Sequence, residues 1–222
     1  MNFVKDSVNQ QPIVDTVFTI VAKAKEAKKK YGADQVVDAT IGSLYNEEGQ
    51  LVALDSVYNS LKNLDNKVLA KYAASFTGNP TFRQKAYDWV LDGNSHLEHE
   101  VVATGAVSMT IQECLDEGQT VILPEIAWGS YALMAQMHNL EMAKYSLFEG
   151  DHFNIASFKE TCLETMKKQN KLVVVINDPC HNPTGYSLTH EEWDEVIIFL
   201  NECSKTHAVV LLNDIAYIDF SS

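Results

Sequence analysis

Residues 172–217 read LVVVINDPCHNPTGYSLTHEEWDEVIIFLNECSKTHAVVLLNDIAY. Two apolar runs, Leu172 to Ile176 and Ala208 to Leu212, open and close the stretch, and each is followed by Asn-Asp. Short runs rich in Val and Leu, without polar alternation, suit strands covered on both faces. Between them, Thr189 followed three residues later by Glu192 predicts a capping box, and Trp193, Val196, Ile197 and Leu200 recur at helical spacing. Strand, loop, helix, strand predicts parallel neighbours joined by a right-handed crossover. Ligands of open parallel sheets gather at the carboxyl edge, where loops and helix N-termini converge. Asn177, Asn182, Asp214 and Tyr217 all fall on that edge.

The same alternation extends toward the amino terminus. Val101–Ala103, Thr120–Leu123 and Glu141–Phe148 read as strands, and helices are predicted after Thr104-Gly105-Ala106 and over Ile155–Gln169. Pro124–Tyr131, PEIAWGSY, leaves the carboxyl end of a strand and carries Trp128. Further upstream, helices are expected from about Asp15 to Lys30, from Asp55 to Leu64, and from Gly78-Asn79-Pro80 to Leu91. Gly32 would stop the first of these. A short strand from Val36 is expected to deliver Gly42 into a loop. Residues 1–12 have no clear pattern and read as an arm.

Composition narrows the class. The 222 residues suffice for a sizeable core, in one large domain or two small ones. A net charge of -13 argues against nucleic acid or an anionic membrane as partner. Cys114, Cys162, Cys180 and Cys203 have neither disulfide-like nor metal-like spacing, which predicts free thiols in a reducing compartment. No histidine shares a metal-ligand spacing, so no metal site is expected. No signal peptide or membrane span is visible, and a cytoplasmic protein is the expectation. Arg83 is the only arginine, although bidentate recognition of carboxylate and phosphate is arginine's speciality.

Cys180-His181-Asn182-Pro183-Thr184-Gly185, with Asp214-Ile215-Ala216-Tyr217 one crossover later, resembles the class I aminotransferases, the fold type I enzymes of pyridoxal 5'-phosphate. The His-Asn-Pro-Thr-Gly form is similar to their aspartate and aromatic amino acid branch. An Asn-Pro turn alone punctuates a loop, and a lone aspartate caps a turn; in this order and strand context the two motifs point together. The resemblance implies a three-layer α/β/α large domain with a mainly parallel sheet, incomplete here. It further implies an arm and small-domain segment over residues 1–50, and the cofactor domain over 51–222, cut on its C-terminal side.

Roles follow from the resemblance residue by residue. Asp214 would face the cofactor's ring nitrogen. Pyridoxal phosphate is an electron sink for the carbanion at an amino acid's α-carbon, and the sink works best with that nitrogen protonated. A carboxylate at about 3 Å, in an effective dielectric of ~20, supplies roughly 5 kcal/mol toward keeping the proton on. Asn182 and Tyr217 would hold the ring oxygen as phenolate, and Trp128 would stack on the ring face. Thr104, Gly105 and Ala106 would cradle the phosphate with backbone N–H groups. Tyr72 would reach the phosphate of a neighbouring subunit, which implies a homodimer, and Gly42 would lie near the substrate carboxylate unless its turn alone demands a glycine. One departure stands out: the aspartate branch often has a histidine three residues after the stacking aromatic, near the ring-nitrogen aspartate, and this chain has Tyr131.

The family's Schiff-base lysine lies a few dozen residues beyond the Asp-x-Ala-Tyr motif, and no lysine follows Asp214 here. Its carboxylate-binding arginines also lie there. Either the chain is the amino-terminal half of a longer aminotransferase or it is a short relative that lost catalysis; the retained Trp128, Asn182, Asp214 and Tyr217 favour the first, acting on an aromatic or dicarboxylic amino acid and a 2-keto acid, with the 222 residues inactive by themselves. The rival readings are another fold type I enzyme, a lyase or decarboxylase, and a noncatalytic α/β ligand-binding domain. Thr104-Gly105-Ala106 is not the G-x-G-x-x-G of a dinucleotide fold.

Overall fold

The computed structural model describes residues 16–71, 79–91 and 105–221, and these fall into two compact units, 16–85 and 86–221. In the first unit, helix α1 (Thr16–Tyr31) carries Lys28, Lys29 and Lys30 in its last turn, where the helix dipole favours cations. Gly32 ends it with φ of 93°, a conformation only glycine adopts cheaply, and its N–H reaches the Lys28 carbonyl at 3.0 Å. The strand expected from Val36 does not form among the described residues. The segment runs extended without a ladder partner, and Val37 is fully exposed; two valines with no neighbouring strand cannot satisfy their backbone groups as a sheet would. Asp38 instead ties the segment locally, accepting from Lys28 Nζ at 2.7 Å and Thr40 Oγ1 at 2.8 Å. Helices α2 (Asp55–Lys62) and α3 (Asn66–Leu69) follow, and the division between the units falls within α4 (Pro80–Leu91). Asp65 caps α3 by accepting from Lys67 N at 2.7 Å.

The second unit alternates helices and strands: α5 (Gly105–Cys114), β1 (Thr120–Pro124), α6 (Gly129–Met137) and β2 (Glu141–Tyr145). A small hairpin of β3 (Phe148–Glu149) and β4 (His152–Phe153) then leads through α7 (Ile155–Met166), β5 (Lys171–Asn177) and α8 (His190–Cys203) to β6 (Ala208–Asp214). The predicted strand Glu141–Phe148 is therefore shorter than expected. Glu125 diverts the chain after Tyr145 by accepting from Ser146 Oγ at 2.7 Å, and Gly150, at φ 62°, reverses it into the hairpin. The expected strand Val101–Ala103 lies outside the described residues.

Strands β2, β1, β5 and β6 lie side by side in that order, all parallel. Side chains alternate between the two faces of β1 and β5. Ile122, Leu172, Val174 and Ile176 pack with Phe158 and Cys162 of α7 and Val196 and Leu200 of α8. Val121, Leu123, Val173 and Val175 pack with Val107 and Ile111 of α5 and Tyr131 and Ala135 of α6. Two helical layers thus sandwich one sheet, which is why β5 reads as an unbroken apolar run. Each side chain so buried contributes roughly 1.5–3 kcal/mol. All four strands run the same way, so their carboxyl ends, and the loops leaving them, share one edge.

Candidate functional site

Strand β5 ends at Asn177 and β6 at Asp214, and the two are paired in register. Asn177 is buried, and its side-chain amide uses both functions. Nδ2 donates to the Asp214 main-chain carbonyl at 2.7 Å, while Oδ1 accepts the Asn182 N–H at 2.7 Å. Asn182 in turn donates from Nδ2 to the Tyr217 hydroxyl at 3.1 Å. Three residues that sequence reasoning placed on this edge, Asn182, Asp214 and Tyr217, are therefore joined through a fourth.

The loop from β5 to α8 is held from behind. Asp178, 6% exposed, accepts from the Leu188 N–H at 2.7 Å and from Trp193 Nε1 at 2.9 Å, pinning both the loop's end and the first turn of α8. Inside the loop, the His181 N–H donates to the Tyr186 carbonyl at 2.7 Å and the Gly185 N–H to the His181 carbonyl at 2.6 Å. Gly185 sits at φ 73°, so a side chain there would be strained. The His181 ring is buried with Nδ1 2.8 Å from Thr184 Oγ1, and its Nε2 has no hydrogen-bond partner among the described residues. Burial lowers its pKa, against weaker opposing contributions from the Ile126 backbone and Asp178, so the imidazole is neutral and serves to stiffen the loop.

The Asp214 carboxylate is half-buried, with each oxygen engaged: Oδ2 accepts from the Tyr131 hydroxyl at 2.5 Å and Oδ1 from the Ala216 N–H at 3.1 Å. Tyr131, in the first turn of α6, is 1% exposed. Burial raises its pKa well above the ordinary tyrosine range, and the bond to Asp214 adds to that shift. Trp128 is the residue before α6, 37% exposed, and its ring meets Tyr131 edge-on with centroids 5.4 Å apart. Tyr131 had entered only as a departure from the expected histidine. A tyrosine one turn into a helix that packs on a sheet must find a partner for its hydroxyl, but nothing in the sequence says that the partner is the carboxylate at the end of β6, two strands away from β1.

The remaining candidates are separate. Gly105 and Ala106 are the first residues of α5, while Thr104 and Tyr72 lie outside the described residues. Gly42 belongs to the first unit. A Cβ there would meet nothing within 4 Å, and its φ is not in the left-handed region, so the turn itself does not require glycine. Elsewhere, an open hollow along α7, lined by Lys159, Leu163, Lys167 and His207, has no comparable convergence of hydrogen-bonding groups.

The carboxyl edge of this parallel α/β sheet thus gathers a carboxylate, an amide, a phenol and an indole, on the side where ligands of open α/β sheets sit. The model of the aminotransferase class I and II family matches residues 34–222, and the chain belongs to that family. It is 23% identical to the mitochondrial aspartate aminotransferase of Schizosaccharomyces pombe, over 94% of this chain and 48% of that protein. With the aromatic-amino-acid aminotransferase of Escherichia coli it shares 24% identity, over 94% of this chain and 53% of that protein. Among solved structures, an aminotransferase from Anaerococcus prevotii superposes with a TM-score of 0.85 at 30% identity, covering 100% of this chain and 56% of that one. The cytoplasmic aspartate aminotransferase of Saccharomyces cerevisiae superposes with a TM-score of 0.70 at 21% identity, covering 94% and 51%. The chain thus spans about half the length of the relatives it matches. No described helix is long and apolar enough to cross a membrane.

Proposed function

We propose that the protein belongs to an enzyme that moves an amino group from an aromatic or dicarboxylic amino acid to a 2-keto acid with pyridoxal 5'-phosphate. The observation that carries this reading is the network Tyr217–Asn182–Asn177–Asp214, which holds two neutral donors and one carboxylate on one edge. That set suits the cofactor's polarity: an acceptor for a ring N–H, and an amide and a phenol for a ring oxygen. When bound, the cofactor supplies an electron sink for the bond-breaking step at the amino acid's α-carbon. Asp214 holds the proton on the ring nitrogen, Asn182 and Tyr217 donate to the ring oxygen, and Trp128 covers the ring face and excludes water. Backbone N–H groups of Thr104, Gly105 and Ala106 receive the phosphate, Gly105 and Ala106 being the first residues of α5.

In the same reading, Tyr72 reaches the phosphate of a second copy, making the working form a homodimer, and Gly42 leaves room for the substrate carboxylate. Residues 1–50 belong to the arm and small domain and 51–222 to the large one. Free cysteines, two of them buried, support a cytoplasmic setting. No lysine follows Asp214 in the 222 residues, and these residues alone are proposed not to transaminate.

The test is a titration of pyridoxal 5'-phosphate into the full chain, followed by tryptophan emission and cofactor absorbance. Saturable binding that weakens by about tenfold or more in Asp214→Ala is expected. In the longer enzyme that supplies the Schiff-base lysine, keto-acid-dependent recovery of the starting spectrum after amino acid addition identifies transfer, whereas release of carbon dioxide or an unsaturated product identifies a decarboxylase or lyase; the 222 residues alone are expected to do neither. Binding of a dinucleotide without any response to pyridoxal phosphate would sink the reading.

A further inference from the structure

We propose that Trp89 is a positioning residue for Tyr217: its indole N–H, donating to the Asp219 carboxylate, anchors the far end of the turn from which the Tyr217 hydroxyl meets Asn182. This role rests on the one proposed for Tyr217 at the ring oxygen, and adds to it a residue from α4, an element outside the network at the sheet edge. Trp89 Nε1 lies 2.8 Å from Asp219 Oδ1. The pair joins the last turn of α4 to the chain just beyond β6, 130 positions away and within the second unit. An indole has one N–H, in the plane of its ring, so the bond fixes direction as well as distance. A carboxylate acceptor makes it stronger than a bond between neutral groups.

The path from β6 to Asp219 is a run of local bonds. Asp214 Oδ1 accepts the Ala216 N–H at 3.1 Å, the Ile215 carbonyl accepts the Ile218 N–H at 3.0 Å, and the Tyr217 carbonyl accepts the Phe220 N–H at 2.9 Å. Tyr217 stands immediately before the single turn Ile218–Phe220, and its ring meets Phe220 edge-on with centroids 6.4 Å apart. Each of these contacts joins residues two or three apart, so they shape the turn without fixing it against the helices. Strand β6 holds its near end and Trp89 its far end, and the Asn182–Tyr217 bond, at 3.1 Å near the long end of the normal range, lies between. Trp89 is 70% exposed, so water competes for its bond and little apolar area is buried with it. Its contribution to global stability is accordingly small, while its effect falls on the place of one hydroxyl. That asymmetry separates positioning from bulk stabilisation.

The experiment compares the full chain with Trp89→Phe, Asp219→Asn, Tyr217→Phe and the double variant Trp89→Phe/Tyr217→Phe. The probe is pyridoxamine 5'-phosphate, which carries the same ring and needs no lysine to bind. The readouts are its dissociation constant, the absorbance maximum of the bound ring and the urea midpoint. Trp89→Phe keeps an aromatic ring on α4 and removes the donor. It is expected to weaken binding roughly threefold and to move the absorbance maximum in the same direction as Tyr217→Phe but by less, with the urea midpoint nearly unchanged. Asp219→Asn keeps an acceptor oxygen and is expected to stay close to the parent. In the Tyr217→Phe background, Trp89→Phe is expected to add nothing to either cofactor readout, because it acts through the hydroxyl already removed. Unchanged affinity and absorbance in Trp89→Phe, with the parent binding and Tyr217→Phe impaired, overturn this inference alone. So does a Trp89→Phe effect that persists in full without the Tyr217 hydroxyl, or a lowered urea midpoint with an unmoved absorbance maximum. A parent that binds and a Tyr217→Phe variant that matches it remove the role on which the inference stands. Failure of the parent to bind the probe overturns the proposed function, and this inference with it.

Discussion

Asn177 is a case of one amide doing two jobs at a strand end. Its acceptor takes the Asn182 N–H and its donor takes the Asp214 carbonyl, so the loop after β5 and the end of β6 move as one. Asn177→Leu, close in volume, removes both bonds and leaves the Asn182 N–H without this acceptor, while the Asp214 carbonyl keeps the Asp178 N–H at 3.2 Å. It is expected to lower stability by about 2 kcal/mol, read as a fall in the urea midpoint, and to weaken cofactor binding without touching the cofactor. Asn177→Asp keeps the acceptor, so it should retain more of the Asn182 position, and a comparison of the two variants separates the bonds. The sequence placed Asn177, Asn182, Asp214 and Tyr217 on one edge, because strand polarity alone carries them there. It did not reveal that Asn177 would link the others, nor that Tyr131 would reach Asp214, since hydrogen bonds between residues 83 apart depend on which strands become neighbours.

At the scale of elements, α8 begins with the capping box that Thr189 and Glu192 announce three residues apart, and both of its bonds are present. Glu192 goes further: besides the Thr189 N–H, its carboxylate accepts the Phe153 N–H at 2.9 Å and the Tyr186 hydroxyl at 2.7 Å. Burial works against its charge, but these donors outweigh burial and hold its pKa below the ordinary glutamate value of 4.5. A carboxyl held low in the folded state stabilises fully above the unfolded value, and that contribution disappears as pH falls through the folded one. The urea midpoint should therefore decline below about pH 4.5, and Glu192→Gln should flatten part of that decline while lowering the midpoint at pH 7. A decline of the same size in Glu192→Gln would show that other carboxylates dominate. The cap was legible because it is local; the β4 residue and Tyr186 that share the carboxylate were not, because a hairpin and a loop had to fold against it first.

Across the whole molecule, protection is uneven. Strand β5 lies between β1 and β6 and has buried side chains from Leu172 to Asn177, whereas α2 has no buried residue. Amide hydrogen exchange should be slowest in β5 and β1 and fast throughout α2, as mass spectrometry of exchanged peptides would test; rapid exchange in β5 would contradict the layered core. Apolar runs, helical spacing and turn residues determined, without any coordinates, the alternation of strands and helices, the parallel sheet and the edge on which chemistry gathers, because periodicity and chain polarity are properties of neighbouring residues. Tertiary structure alone decided the order of the strands, the shortening of β2, the loss of the strand expected at Val36, and the pairing of Tyr131 with Asp214. Each of these depends on whether a distant segment is present to accept a hydrogen bond or cover a face, and a one-dimensional pattern does not contain that information.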